Sequence, residues 1–352
     1  MRMPLRRRFE TPRLEREAFS ALKRVVVSAP ERGAFSALER EGFSRAAADR
    51  LKGSPSISRS PAGKLRPYVV PLLLIAALAV AQAAQAKTFA WKATGKGGVV
   101  YLIGSVHLLS PDFYPLNPAL ESAYKDSDLL VEEIDLAEML NPSSQLQILS
   151  RGMLPSSTPL DKVLSAATYA LLNKHITSLG LPAEPFKMLK PWAVALMLSS
   201  LEMQKAGFDP ELGIDKHFYD QAKTDGKGVQ GLETAEYQIS RFDEMTMEQQ
   251  DHLLAETLKD VETEQANTKK LVEAWRTGDV PNVERLVLSD LKQEPLLYQR
   301  LLVDRNKNWL PKIEALFSRR GHVLVVVGAA HLVGPDGIVA MLKAKGYTVE
   351  QM

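Results

Sequence analysis

Cysteine is absent from the 352 residues. This excludes disulfide bonds, thiolate metal ligands, a cysteine nucleophile and a lipid-modified cysteine. After residue 66, basic residues are also outnumbered by acidic ones. Residues 1–66 carry 16 of the 44 Lys+Arg and 7 of the 42 Asp+Glu, which leaves 28 basic and 35 acidic residues, a net charge of −7, for residues 67–352. Because nucleic-acid binding needs clustered positive charge on a folded surface, no nucleic-acid partner is implied.

An uncharged stretch, residues 67–86, follows Lys64 and Arg66 and ends in Ala-Gln-Ala. A basic flank, a short apolar core and an Ala-x-Ala end are the parts of a secretory signal peptide, so we expect cleavage before Lys87 and export to the periplasm or the exterior. The alternative is a membrane anchor, in which case the uncleaved N-terminal segment would hold the protein at a membrane. The strongly apolar core, residues 69–81, is shorter than the roughly 18 residues that an anchor requires.

The 66 residues before this stretch are too long for an ordinary signal-peptide flank. A Glu-Arg-x-x-Phe-Ser pattern recurs in them at 15–20, 31–36 and 39–44, without hydrophobic periodicity. We expect residues 1–66 to be either a disordered basic extension or a segment that was mis-assigned to the protein because the start codon was placed too far upstream. A basic arm on a membrane surface is the functional alternative.

Residues 87–352 are expected to form an α/β domain. Helical patterns fill most of the region from about 160 to 317, which predicts a large helical insertion. Apolar runs on both sides predict a central mixed or mostly parallel sheet, covered on both faces and built from the N- and C-terminal parts of the domain. The predicted strands are Thr88–Ala93, Val99–Ile103, Leu129–Ile134, Gly228–Leu232, Val323–Val327 and Tyr347–Glu350.

Two similar turns follow the predicted strands Val99–Ile103 and Val323–Val327. They read Gly-Ser-Val-His-Leu-Leu-Ser-Pro-Asp and Gly-Ala-Ala-His-Leu-Val-Gly-Pro-Asp, with the histidines at 107 and 331. Glycine lets the backbone take a positive φ or pass close to a ligand, and the carboxyl ends of strands are where open α/β sheets place ligands. The pair therefore predicts two imidazoles aimed at one point. For a single turn, a histidine that only caps its own loop would be the favoured interpretation.

Several ordered motifs resemble the TraB/GumN family, which includes the TIKI metalloproteases and is related in fold to the haem-binding ChaN and erythromycin esterase proteins. The resemblance runs from about Trp91 to the C-terminus and implies a metal-dependent peptidase, although many bacterial members have no known substrate. Its motifs are Tyr101–His107, Phe113–Leu116, Val131–Asp135, Lys190–Trp192, Gly213–Asp215, Gly231–Thr234, Gly278-Asp279, Arg305-Asn306 with Trp309, and Val327–His331.

Two histidines and a carboxylate would suit divalent Mn, Co or Zn. Glu133 is the expected third ligand, since it lies near the carboxyl end of a strand and matches the family's Val-Glu-x-Asp pattern. Glu132 is the reserve choice, because strand alternation turns it to the other face. A surface carboxylate pair is the alternative for both glutamates, but the apolar residues before them predict a buried strand.

Glu233 and Arg305 are the expected catalytic residues. Glu233 could complete the ligand set or act as a general base, or it could instead cap the following helix. Arg305 falls on the apolar stripe of the predicted helix Pro295–Phe317. There it could stabilise negative charge on a hydrolysed carbonyl, or it could form a structural ion pair with Asp215 or a glutamate. Asp215 itself could be only an N-terminal helix residue.

The leading hypothesis is an exported metal-dependent hydrolase, peptidase-like, that acts on a peptide or a small molecule. A second hypothesis is a non-catalytic binding protein for haem, a small ligand or a peptide, because the chain lacks a His-Glu-x-x-His motif. A third is a partner-binding regulator that uses the predicted helices Met247–Arg276 and Pro295–Phe317 as its surface.

Cleavage after Ala86 predicts that the exported protein begins at Lys87. Intact-mass measurement of the protein recovered from the periplasm or the medium checks this expectation. A mature N-terminus well upstream of Lys87 would contradict it.

Overall fold

The computed structural model describes residues 87–259 and 261–352, without the side chains of residues 261–265 and 290. The extension 1–66 and the expected signal peptide 67–86 lie outside the described residues. Within the described ranges, no helix has the length and apolar character that crossing a bilayer requires.

The centre of the domain is a six-stranded sheet with the strand order β4-β3-β5-β2-β1-β6. Four neighbouring strands, β4, β3, β5 and β2, run parallel, whereas β1 is antiparallel to both β2 and β6. The predicted α/β class with a mostly parallel mixed sheet is therefore confirmed. The strands are β1 Ala90–Gly95, β2 Gly98–Ser105, β3 Leu129–Glu132, β4 Gly228–Gly231, β5 His322–Gly328 and β6 Thr348–Gln351.

The central strands β2, β3 and β5 are buried on both faces. In β2 and β5, consecutive residues rather than alternate ones are shielded from solvent, as expected when helices cover both sides. The predicted strand Leu129–Ile134 ends two residues early, at Glu132. Glu133 therefore begins the loop beyond β3.

Helices surround the sheet, and several begin at a polar cap followed by proline. Asn117 and Asn141 each accept a hydrogen bond at Oδ1 from the amide two residues ahead, at 2.9 Å in both cases. The proline after each cap lacks an amide hydrogen, which the first helical turn does not need. The helices are α1 Pro118–Lys125, α2 Leu136–Leu140, α3 Pro142–Arg151, α4 Ala166–Ser178, α5 Pro191–Lys205, α6 Ile214–Asp225, α7 Ala235–Asp243, α8 Met247–Lys259, α9 Val261–Arg276, α10 Val280–Gln293, α11 Pro295–Tyr298, α12 Asp304–Leu316 and α13 Ile338–Ala344.

The insertion is less regular than its helical pattern predicts. The predicted helix Pro295–Phe317 consists of α11, a π-helical segment Gln299–Val303 and α12. The predicted helix Met247–Arg276 is the two helices α8 and α9. Helices α3, α4, α5, α7 and α8 share a second apolar core of their own, distinct from the core around the sheet.

Glu132, the last residue of β3, is buried without a partner. It is 2% exposed, and neither carboxyl oxygen has a hydrogen-bond partner among the described residues. Burial, together with the negative charges of Asp215, Asp135, Glu133 and Asp220, raises the pKa of Glu132 to about 10. The side chain therefore takes up a proton when the chain folds at neutral pH.

The substitution Glu132→Gln is expected to stabilise the fold at pH 7. Below its ordinary pKa of 4.5, Glu132 is protonated in both the unfolded and the folded chain, and its burial costs no proton uptake. Above that pH the folded chain must take up a proton, so the free energy of unfolding falls as the pH rises toward about 10. At about 1.4 kcal/mol per pH unit, the variant should gain about 3 kcal/mol in free energy of unfolding at pH 7 and almost nothing at pH 4. Urea unfolding at both pH values, with a chelator present, measures the difference.

Glu350→Gln is the matched control, because Glu350 is exposed on β6. It should leave the free energy of unfolding within about 0.5 kcal/mol of wild type. A gain for Glu132→Gln that is the same at pH 4 and pH 7 would contradict the assignment of a protonated Glu132.

Candidate active site

The carboxyl edge of the parallel strands carries the residues that the sequence singles out. His107, Glu133, Glu233 and His331 lie in the segments that directly follow β2, β3, β4 and β5. Parallel neighbours end at the same edge of a sheet, which brings these four segments together. Arg305, near the start of α12, reaches the same edge from the helical insertion.

Both histidines and Glu133 surround one point beside Gly328. A Cβ atom at Gly328 would lie 3.1 Å from Oε1 of Glu133, 3.5 Å from Cδ2 of His331 and 3.7 Å from Nε2 of His107. Two imidazoles that are far apart in the sequence therefore face the same small volume, together with a carboxylate. A side chain at Gly328 would enter that volume, so glycine keeps it open.

The glycines of the two Gly-x-x-His turns act through close approach and not through a positive φ. Neither Gly104 nor Gly328 has φ in the left-handed region. At Gly104 an added Cβ would lie 2.4 Å from the ring of Phe89, and the carbonyl of Gly104 accepts a hydrogen bond from the Trp275 indole at 2.6 Å. The positive φ allowed for in the prediction is absent at both glycines, and at Gly104 the close approach is to the Phe89 ring.

The guanidinium group of Arg305 joins the parts of this edge. Its Nε and Nη2 donate to Oε1 of Glu233 at 3.0 and 2.8 Å, and Nη2 also donates to Glu133. Its Nη1 lies 3.0 Å from Nε2 of His331. The side chain is 9% exposed, so these charges interact with little screening by solvent. Of the alternatives for Arg305, an ion pair with glutamates is present, and Asp215 is not its partner.

Glu233 has both oxygens occupied. Oε2 accepts a hydrogen bond from the Trp309 indole at 2.7 Å, while Oε1 accepts from Arg305. Glu233 does not line the cavity described below. Thr234, and not Glu233, caps helix α7. Trp309 is fully buried, and its indole also orients Glu233.

His331 is buried and fixed in one tautomer. Its Nδ1 lies 2.7 Å from Oδ1 of Asn306, and its Nε2 faces Arg305. Since a guanidinium can only donate, Nε2 accepts and Nδ1 carries the proton that is donated to Asn306. Burial lowers the pKa of His331 to about 3, so the ring is neutral at pH 7.

His107 is accessible, and Asp215 fixes its orientation. Its side chain is 56% exposed, and its Nδ1 lies 3.1 Å from Oδ1 of Asp215, which also accepts a hydrogen bond from the Ser105 hydroxyl at 2.7 Å. The Asp215 carboxylate raises the pKa of His107. Asp215 begins α6 beside Gly213, where an added Cβ would lie 2.3 Å from the carbonyl oxygen of His107. Asp215 is thus more than an N-terminal helix residue.

Glu133 stays ionised despite its burial. Burial alone would raise its pKa, but the charge of Arg305, with contributions from His107 and the Gly328 amide, lowers the pKa of Glu133 well below its ordinary value. The amide of Gly328 donates to Oε1 at 2.7 Å, and Gln238 donates to Oε2 at 3.0 Å. Glu133 therefore presents a negative charge at the shared point.

A cavity of about 610 Å³ opens onto this point. His107, Glu133, Arg305 and His331 form its polar end, and apolar side chains from the helical insertion form most of the remaining wall. Glu132 is not part of its lining, in agreement with strand alternation. A pocket with a few convergent polar groups and an apolar wall is the usual form of a small-molecule or peptide site.

The donor atoms suit a divalent transition metal in their chemistry. Asp215 and Asn306 occupy the Nδ1 atoms of the two imidazoles, which leaves the Nε2 atoms as the nitrogens that could bind a metal, as in protein metal sites. Nε2 of His331 lies 3.9 Å from Oε1 of Glu133. As they stand, the described His, Asp and Glu side chains form no group of three that could hold a metal ion. The hydrogen bond from Arg305 occupies Nε2 of His331, so that atom becomes a ligand only when the bond breaks.

Three supporting residues of the site are not predicted from the sequence: Ser105, Asn306 and Gln238. Ser105 and Asn306 lie within recognised motifs, but the contacts that they make depend on which elements pack together. Gln238 lies one turn into α7, and no local sequence pattern indicates that it belongs to the site. Only the adjacency of Asn306 to Arg305 could have indicated its role.

Arg305→Met is expected to lower the free energy of unfolding by about 3–5 kcal/mol, because it leaves the carboxylates of Glu133 and Glu233 buried without their cation. Urea unfolding measures the loss. Arg300→Met is the matched control, since Arg300 lies 3.9 Å from its ion-pair partner Glu244 and is partly exposed. The control should cost less than about 1 kcal/mol. Equal losses in both variants would contradict the network described here.

Known proteins resemble this chain over most of its length. The TraB/PrgY/gumN family model matches residues 89–351. The Escherichia coli (strain K12) protein YbaP, described as uncharacterized, is 29% identical over 246 residues, or 69% of this chain and 87% of YbaP. Metalloproteases TIKI1 and TIKI2 of Danio rerio are 23% and 22% identical over 303 residues, or 71% of this chain. The matches span 60% of TIKI1 and 58% of TIKI2.

No solved structure matches the chain. The family match, in contrast, includes every strand of the sheet and every residue of the candidate site. The chain belongs to the TraB/PrgY/gumN family.

Proposed function

We propose that the protein is an exported hydrolase that cleaves amide bonds in peptides and uses a divalent metal ion, Mn, Co or Zn, held by His107, Glu133 and His331. The observation that carries the proposal is the convergence of Nε2 of His107, the His331 ring and Oε1 of Glu133 beside Gly328. The TIKI relatives, described as metalloproteases, support the same class of reaction.

The bound ion would polarise the substrate carbonyl and activate a water molecule for attack on it. Asp215 and Asn306 keep the two imidazoles oriented, and Glu133 supplies the negative charge that favours a cation. Protons must leave an imidazole before it can bind a metal, so the raised pKa of His107 makes metal affinity decrease with falling pH.

Arg305 would stabilise the negative charge that develops on the attacked carbonyl oxygen. Its guanidinium group already reaches Nε2 of His331 at 3.0 Å, so a small movement would direct Nη1 to a substrate oxygen. Glu233 then serves to position Arg305. To act as a general base instead, Glu233 would first have to release its hydrogen bonds from Arg305 and Trp309.

His107→Ala and His331→Ala should each weaken Mn²⁺ or Co²⁺ binding at least tenfold and abolish metal-dependent peptide hydrolysis, because each variant removes one of three proposed ligands. Elemental analysis after metal loading and mass spectrometry of peptide products provide the two measurements. His331→Gln serves as a second variant, since His331 is buried and its truncation could disturb folding.

His252→Ala is the matched control, because His252 is half exposed and does not line the cavity. It should retain both metal and activity. Unchanged metal content in both site variants would refute the assigned ligands. Tight retention of a peptide or of haem without turnover would favour the non-catalytic binding function.

A further inference from the structure

The reactive residues occupy only one end of the cavity, and the rest of its wall is apolar. Glu133 and Arg305 are the only Asp, Glu, Lys or Arg residues in the described lining, and they pair with each other. A charged substrate group placed farther along the wall would therefore lose its hydration without gaining an ionic partner. That part of the cavity therefore favours uncharged groups over charged ones.

Helix α5 presents one continuous face to the cavity. Its lining residues, Trp192, Ala193, Leu196, Met197 and Ser200, follow the i, i+1, i+4, i+5, i+8 spacing of one helical face. Four of the five are apolar. The outermost apolar residue, Leu196, is 40% exposed, which leaves a large hydrophobic side chain uncovered at this wall.

Helix α7 continues the wall with Gln238, Ile239 and Phe242. The rings of Phe242 and Trp192 stack at a centroid distance of 6.1 Å and an angle of 25° between their planes. Flexible methionine side chains add to this surface and can adapt to bound groups of different shapes. Further apolar side chains of the cavity lining come from Met139, Ile148, Leu271 and Val287.

The polar groups within this wall fit a peptide better than a plain hydrocarbon chain. Ser200 brings a hydroxyl and Gln238 an amide into the same lining as the apolar side chains. The Gln238 amide also donates to Glu133 at 3.0 Å, so the apolar wall is directly joined to the reactive end. Peptide groups could use such hydrogen-bonding partners, whereas an acyl chain could not.

Resting on the proposed hydrolase function, we infer that the substrate is a peptide with bulky apolar side chains, such as Leu, Met or Phe, beside the bond that is cleaved. The faces of α5 and α7 form the specificity wall that receives those side chains. The cavity volume of about 610 Å³ is large enough for more than one of them.

The test compares cleavage of synthetic decapeptides that carry Leu, Met or Phe, or else Ser, Asp or Lys, on both sides of a central bond. Mass spectrometry identifies the products, and initial rates give kcat and KM for the metal-loaded protein. The kcat/KM for peptides with bulky apolar residues should be at least about tenfold higher than the kcat/KM for the polar peptides, because burial of each apolar side chain against the wall strengthens binding. A long-chain N-acyl amide is the competing substrate.

Leu196→Glu places a charge on the wall at a partly exposed position, so the fold should be retained. It should raise KM for the apolar peptides about tenfold. Leu146→Glu is the matched control, because Leu146 is a 53% exposed leucine of α3 outside the cavity lining. The control variant should behave as wild type.

Binding of fluorescein-labelled decapeptides, followed by anisotropy, separates the two proposals. Binding of apolar peptides that Leu196→Glu weakens, without any cleavage, would reject the hydrolase function and keep the inferred specificity. Cleavage that is indifferent to the flanking residues or to Leu196→Glu would reject the specificity and keep the hydrolase. Preferred cleavage of the N-acyl amide, or neither binding nor cleavage of apolar peptides, would overturn the inference.

Discussion

The buried guanidinium of Arg305 is the interaction on which the candidate site depends. It lies between the carboxylates of Glu133 and Glu233 and against Nε2 of His331, and thereby joins the ends of β3, β4 and β5 to helix α12. Without this cation, two negative charges would lie buried side by side. The same group keeps Glu133 ionised. The ion pair that stabilises this edge of the sheet therefore also maintains the negative charge of Glu133 there.

The two Gly-x-x-His turns are alike in sequence but place their histidines in different environments. His331 is enclosed, neutral and bonded through both ring nitrogens, whereas His107 is more than half exposed and carries a raised pKa because of Asp215. The difference arises from what packs on each turn. Asn306 of α12 packs on the turn that carries His331, and the start of α6, with Asp215, packs on the turn that carries His107. The apolar wall opens beside both, so a substrate could reach the exposed imidazole first.

Local sequence patterns predicted the sheet and the edge where the site lies. The apolar runs and the turn residues that bound them located all six strands to within about two residues. The signal is strongest in β2, β3 and β5, which are buried on both faces. Arg305 on an apolar stripe predicted an inward-facing charge. An ion pair of Arg305 with a glutamate was one of the alternatives, but the sequence did not indicate which glutamates it contacts. The anchor Asn306, the role of Asp215 and the π-helical segment before α12 were not predictable, since each depends on packing between elements distant in the chain.

The central claim is that His107, Glu133 and His331 share one reactive centre. A crystal structure of residues 87–352 soaked with Co²⁺ and measured at the cobalt absorption edge tests it most directly. The anomalous peak should lie about 2.0–2.2 Å from Nε2 of both histidines and from a carboxylate oxygen of Glu133, with Arg305 moved away from His331. A peak elsewhere, with the Arg305–His331 hydrogen bond intact, would contradict the claim.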